Sequence, residues 1–211
     1  HESAHIEMIK IVHEIMLLGA EVIVLGDGEF DGTEWLATLK NFEWKWVCRT
    51  AHNSHFFDGD RQFIANEICP EKGTITGLSN LEFTQNDRFG PVTLVVTWRE
   101  DCKEPVYLVS NFTLPEEAAE WYKHRFKIET FFSDQKSRGF NIHKSHISDP
   151  KRLSRLLMAT CMAYIWVVYL GGHAIESGLS KKLHRNNRCD LSLFSLGLRL
   201  INYLLNRDLE F

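Results

Sequence analysis

Between Trp121 and His146 the chain reads WYKHRFKIETFFSDQKSRGFNIHKSH. Taken as one helix, this stretch sets Tyr122, Arg125, Glu129 and Lys136 at offsets of 0, 3, 7 and 14. At about 100° per residue the four fall within an arc of roughly 60°. One carboxylate then shares a stripe with two cations and a phenol, while Trp121, Phe126, Ile128, Phe131 and Phe132 seat the helix on a core. A surface helix more often pairs opposite charges at i,i+4. The bland alternative is an amphipathic helix with chance polar placement.

The 211 residues suffice for one substantial core or one domain with an insertion. Five cysteines, at 48, 69, 102, 161 and 189, stand singly and in odd number, so reduced cytosolic thiols are expected rather than a disulfide framework. Cys48, His52 and His55 form a C-x3-H-x2-H run, but no second ligand pair follows at zinc-finger spacing, and they read as ordinary strand and loop residues. No signal peptide is expected from the opening residues. The apolar run Leu156 to Leu170 is short for a membrane span and reads as a buried helix, so no membrane partner is expected. The first residue, His1, suggests a processed product or a fragment.

A net charge of −4 argues weakly against nucleic acid, but its distribution argues the other way. Residues 122–207 hold 15 Lys and Arg against 5 Asp and Glu, a balance of +10, which leaves −14 for the rest. A basic third on an acidic remainder suits a DNA face, and equally a solvated helical surface.

In chain order, Ile6, Ile9, Val12, Ile15 and Met16 recur at helical spacing over residues 3–18, and Gly19 stops that helix. Glu21 to Leu25 reads as a buried strand, central and parallel. It runs into Gly26-Asp27-Gly28-Glu29-Phe30-Asp31-Gly32, and an acid after such a strand lies where open α/β sheets form their sites. A calcium loop is rejected, because Thr38 stands where the bidentate Glu belongs and a strand precedes the loop. Asp31 reads as the N-cap of a helix over 32–41, with Glu34 completing a capping box. Residues 43–49 alternate as the next strand, paired near the first after a short helical crossover.

From Ala51 glycine, proline and asparagine punctuate short runs. Strands are expected at 74–76, 81–84, 92–98 and 105–109. Thr113 is a natural N-cap before Pro115, with Glu116 and Glu117 at the positive end of the dipole. Gly139 ends the helix that carries Tyr122, Arg125, Glu129 and Lys136, and His143 and His146 receive no role. Pro150 starts a long helix ended by Gly171-Gly172, with Lys151, Arg152 and Arg155 in its first turns. Lys181, Lys182, Arg185 and Arg188 form a further basic patch. Asp190 caps a last helix that sets Leu191, Phe194, Leu198, Ile201 and Leu205 on one side.

Tyr122-x2-Arg125-x3-Glu129-x6-Lys136 resembles the Tyr-Arg-Glu-Lys signature of IS4-type DDE transposases. The resemblance implies an α/β fold, a ribonuclease-H-like catalytic core over residues 1–211. Within it, 52–110 would be a β-rich insertion and 111–211 a helical part carrying the signature and the basic face. It implies that Glu129 is the third metal-binding carboxylate and Asp27 the second catalytic Asp. Mg²⁺ or Mn²⁺ would be the cofactor, since hard cations suit carboxylate oxygens. Tyr122, Arg125 and Lys136 would hold phosphates beside the scissile bond, Arg125 bidentately. The partners implied are double-stranded DNA, at transposon ends and target, and a second copy on paired ends, in the bacterial cytoplasm at the nucleoid. The reaction would be in-line cleavage by water and strand transfer by a 3′-hydroxyl.

One departure stands against this. The chemistry needs a first Asp on an opening strand, and residues 1–26 contain none; their acids are Glu2, Glu7, Glu14 and Glu21. The helix at 3–18 corresponds to the one after the third strand of such a core. The first strands are therefore expected to be missing, with an unpaired sheet edge as the result and no activity in this piece alone. Two alternatives compete: a non-catalytic DNA-binding relic, and a metal-dependent nuclease of the same fold.

Overall fold

The computed structural model describes residues 2–184 and 190–207. The chain divides into two compact units, residues 1–126 and 127–211.

The first unit opens with helix α1 (Glu2–Ile15), whose Ile6 and Ile9 are buried. Gly19 follows it at φ +80°, a left-handed turn that only glycine adopts without strain. Strand β1 (Ile23–Gly26), helix α2 (Thr33–Asn41) and strand β2 (Lys45–Arg49) form a β-α-β crossover. β1 and β2 pair in parallel, with Gly26 opposite Cys48. Trp35, Leu36 and Leu39 give α2 a buried stripe at helical spacing.

Five strands follow: β3 (His55–Asp58), β4 (Arg61–Ile64), β5 (Ile75–Phe83), β6 (Phe89–Thr97) and β7 (Val106–Ser110). The seven strands form one sheet in the order β1-β2-β7-β6-β5-β3-β4. The residues after Ala51 therefore extend the sheet begun by β1 and β2. β7 is antiparallel to β2, and where their ladder ends the Asn111 side chain continues it. Its Oδ1 accepts from the Trp46 amide at 2.9 Å and its Nδ2 donates to the Trp44 carbonyl at 2.9 Å.

The main core holds Trp35, Trp46, Phe56, Phe63, Phe83 and Leu94 on one face of the sheet. A second cluster of Val47, Val95, Leu108, Phe112 and Ala118 receives helix α3 (Pro115–Tyr122).

Several expectations change here. β1 is an edge strand, not a central one: nothing among the described residues pairs with its other side, and Ile23 to Leu25 are only half-buried. The expected runs 74–76 and 81–84 belong to one strand, β5, irregular between Leu78 and Phe83. The hairpin β3–β4 escapes the pattern because four-residue strands around Gly59 are too short to show an alternation. Asp31 does not cap α2. The N-cap is Gly32, with no side-chain bond, because the Asp31 carboxylate accepts from Thr50 Oγ1 at 2.7 Å. Leu114, not Thr113, caps α3, with Pro115 and two glutamates in the first turn as expected.

The signature stretch is not one helix. α3 ends at Tyr122 and a 3₁₀ turn runs Lys123–Phe126. Helix α4 (Lys127–Ser133) follows and passes into a π-turn over Asp134–Arg138, closed at Gly139. A uniform 100° per residue does not hold across these changes.

In the second unit, helix α5 (Pro150–Glu176) starts at Asp149, whose carboxylate accepts from the Arg152 amide at 2.8 Å. It continues through Gly171-Gly172 instead of stopping. The reason is packing: a Cβ on Gly171 would fall on the Leu193 carbonyl, so glycine serves a close helix crossing. Helices α6 (Ser180–Leu183) and α7 (Leu193–Leu205) complete the unit. α7 is capped by Ser192, whose Oγ accepts from the Ser195 amide, whereas Asp190 bonds His184 Nε2 at 2.5 Å. The face α7 buries is Phe194, Leu196, Gly197 and Leu200; Leu205 is exposed. Arg185 and Arg188 of the expected basic patch lie outside the described residues.

α5 is not the buried helix expected. Val167, Gly171 and Ala174 are buried, but Met158, Met162, Ile165, Trp166 and Tyr169 are exposed. Its 27 residues, with a mean hydropathy of 1.6 over the most apolar window, are long and apolar enough to cross a membrane by length and composition, a test that core helices also pass.

Candidate active site

β1 ends at Gly26, where the chain turns tightly against β2. A Cβ there would stand 2.7 Å from both Cys48 Sγ and Phe30 Cβ, so the turn requires glycine. The Asp27 carbonyl then accepts from the Phe30 amide at 2.9 Å, and the Phe30 ring packs on Trp35, 5.3 Å between centroids. The loop is thereby tied to α2 while the Asp27 side chain stays open to solvent, 54% exposed. One carboxylate oxygen accepts from the Gly28 amide at 2.9 Å; the other lies 3.8 Å from Arg125 Nη1.

Tyr122 reaches this place from α3. Its ring is half-buried against the cluster around Val47 and Leu108. Burial pushes its phenol up from the ordinary value; Asp27 adds to this, while Arg125 and Arg49 oppose it. The Arg125 guanidinium lies 5.8 Å from the centre of the Tyr122 ring, within reach of cation–π attraction. Tyr122, Arg125 and Asp27 therefore meet in the first unit.

Beside them opens a cleft of about 710 Å³, lined among others by Asp27, Asp31, Arg49, His52, Glu104 and Tyr107. Thr50 bridges Asp31 and Ser54 at its wall, both bonds being 2.7 Å. Arg49 is a site residue that the motif reading misses, though a signal for it exists. Parallel strands joined by a crossover end on the same edge, and the pairing of Gly26 with Cys48 puts Asp27 and Arg49 at equivalent places one residue on.

Cys48, just before Arg49, is fully buried. Burial, with Asp31 contributing, pushes its thiol up to about 12, and the protonated thiol packs in the main core.

Glu129 and Lys136 belong to the second unit, where both are exposed, on α4 and on the π-turn. Between them Asp134 and Gln135 are buried, although two polar residues in succession carry no sequence signal for burial. His143, without a role in the sequence reading, makes a 2.7 Å bond from Nδ1 to the Lys136 carbonyl.

Asp27 and Glu129 each offer hard oxygens, the donor type that Mg²⁺ or Mn²⁺ takes. Asp31 lines the cleft with Asp27. No group of three or more candidate metal ligands gathers among the described residues.

β1 and β2 thus end in Asp27 and Arg49 at an open cleft, with Tyr122 from α3 and Arg125 from the following 3₁₀ turn set beside Asp27. The transposase DDE domain matches residues 1–166, and the chain belongs to that family. Its members are polynucleotidyl transferases and nucleases that act on DNA and normally use a divalent metal. No curated protein matches the chain.

Proposed function

We propose that the chain supplies catalytic residues of an IS4-type insertion-sequence transposase with a ribonuclease-H-like core, which cleaves transposon ends and transfers them as a homodimer. Asp27 and Glu129 would each give carboxylate oxygens to Mg²⁺ or Mn²⁺. When bound, the cation acts as a Lewis acid on the phosphate and lowers the pKa of its water. Arg125 neutralises a phosphate next to Asp27, and its fork of donors suits two phosphate oxygens at once. Tyr122 orients that guanidinium with its ring and offers its hydroxyl, kept protonated, as a donor to the DNA backbone. Lys136 makes a further phosphate contact. The observation that carries the reading is the meeting of Tyr122 and Arg125, two members of the signature, with the Asp27 carboxylate.

The test uses the longest open reading frame that holds this chain. Asp27→Asn and Glu129→Ala are each expected to abolish Mg²⁺-dependent nicking of a duplex bearing the element's end, with affinity for that duplex retained. Nicking that survives either change overturns the assignment of that residue. Nicking without joining of a 3′-end in the unmodified protein means a nuclease, and binding without nicking a DNA-binding protein.

A further inference from the structure

Between Glu129 and Lys136 the second unit buries two polar side chains, Asp134 and Gln135, each 3% exposed. Burying a carboxylate is costly unless it is hydrogen-bonded. Asp134 is bonded to the phenol of Tyr164 on α5. Burial pushes that phenol up from its ordinary value and Asp134 adds to the effect, so Tyr164 stays protonated and the carboxylate accepts. The Tyr164 ring is itself wedged. Phe194 stacks on it at 5.0 Å and 23°, and Phe131 meets it edge-on at 5.0 Å and 88°. One turn earlier on α5, the Thr160 carbonyl accepts from Gln135 Nε2 at 3.4 Å.

These bonds fall where the backbone leaves α-helical geometry. The π-turn begins at Asp134, and the amides of Gly139 and Phe140 close it on the Asp134 carbonyl. Gly139 has no room for a Cβ, which would collide with the Phe194 ring. From the other side, His143 holds the Lys136 carbonyl. Apolar side chains at 134 and 135 would bury the same surface more cheaply. They would also let the turn relax to α-helical register, and a slip of one residue rotates the downstream side chains by about 100°. A directional bond prevents the slip. π-turns of this kind are frequent at functional sites.

We propose that Asp134 and Tyr164 form a positioning lock that fixes the π-turn and thereby aims the exposed Lys136 at a DNA phosphate. The lock rests on the reading of Lys136 as a phosphate contact. Neither residue touches DNA; both act through Lys136.

The experiment measures binding of a fluorescein-labelled DNA duplex as a function of KCl in the full gene product. Each lost phosphate contact lowers the slope of log K against log[salt] by about one. Lys136→Ala is expected to lower it by that amount. Tyr164→Phe, which keeps the ring and removes the bond, is expected to match it. The double variant is expected to show no further loss, because both changes remove one contact. Asp134→Asn retains an acceptor and is expected to keep the slope, whereas Asp134→Leu loses it. Circular dichroism checks folding, and if Tyr164→Phe does not fold, the Asp134 pair carries the comparison. A slope unchanged in Lys136→Ala overturns the phosphate contact and the lock with it. A slope lowered in Lys136→Ala but intact in Tyr164→Phe or Asp134→Leu, or lost in Asp134→Asn, overturns the lock alone.

Discussion

Arg125 Nη1 stands 3.8 Å from Asp27 Oδ2, the arginine 23% exposed and the aspartate 54%. A pair this open to water contributes little to stability, about 0–1 kcal/mol. On the proposed reading both groups act on the substrate. Arg125→Ala is therefore expected to leave the urea midpoint nearly unchanged, to weaken DNA binding and to lower the salt slope by about one. A clearly lowered midpoint with an unchanged slope would make Arg125 structural.

Gly171 and Gly197 meet at the crossing of α5 and α7, where a Cβ on either would fall on a backbone carbonyl of the other helix. Backbone cannot move aside as a flexible side chain does. Gly171→Ala and Gly197→Ala should each cost about 1–3 kcal/mol, with the loss carried by the second unit. Gly172, which has open space around it, serves as the control, since Gly172→Ala in mid-helix is expected to stabilise by about 0.5–1 kcal/mol. Urea denaturation of the three variants makes the comparison.

Asn111 clips the end of β7 to β2 through two backbone groups, the Trp46 amide and the Trp44 carbonyl. Asn111→Ala leaves both without that partner and should cost about 1–3 kcal/mol. Asn111→Asp keeps the acceptor but cannot donate, so it is expected to fall between. Amide exchange at Trp46 reads the loss directly.

The Cys48 thiol, ordinarily at 9.0, is pushed up to about 12 by burial and by Asp31. Below pH 9 both folded and unfolded chains keep this proton and stability is unaffected. As pH rises from 9 towards 12, the unfolded chain releases it and the folded chain does not. Stability then falls, by up to about 1.4 kcal/mol per pH unit. Cys48→Ala should remove this contribution. At about pH 8 Cys48 should resist alkylation in the folded protein and react once it is unfolded, which mass mapping of the labelled thiols can follow.

Much of the first unit is legible along the chain. The left-handed turn at Gly19, four residues past the end of α1, the crossover from β1 through α2 to β2, and the apolar runs at β6 and β7 are local patterns. So is Asp27 at a strand end, because a β-branched run followed by Gly-Asp-Gly can hardly be anything else. Asp31 misleads for a reason of the same kind: its spacing from Glu34 is that of a cap, but Thr50, on another segment, takes the carboxylate. Gly171 misleads as a stop because a sequence shows that a residue is small, not what it is small for.

The residues alone determined which groups are available: a Tyr, an Arg, a Glu and a Lys at signature spacing, an acid after a parallel strand, and a basic C-terminal third. Only the tertiary structure decided that Tyr122 and Arg125 meet Asp27, and that Asp134 and Gln135 are buried beside an exposed Lys136. Periodicity reports which face of an element is apolar. Partners such as Thr50 for Asp31, Tyr164 for Asp134 and Leu193 for Gly171 come from distant segments, and their identity is settled by how those segments pack.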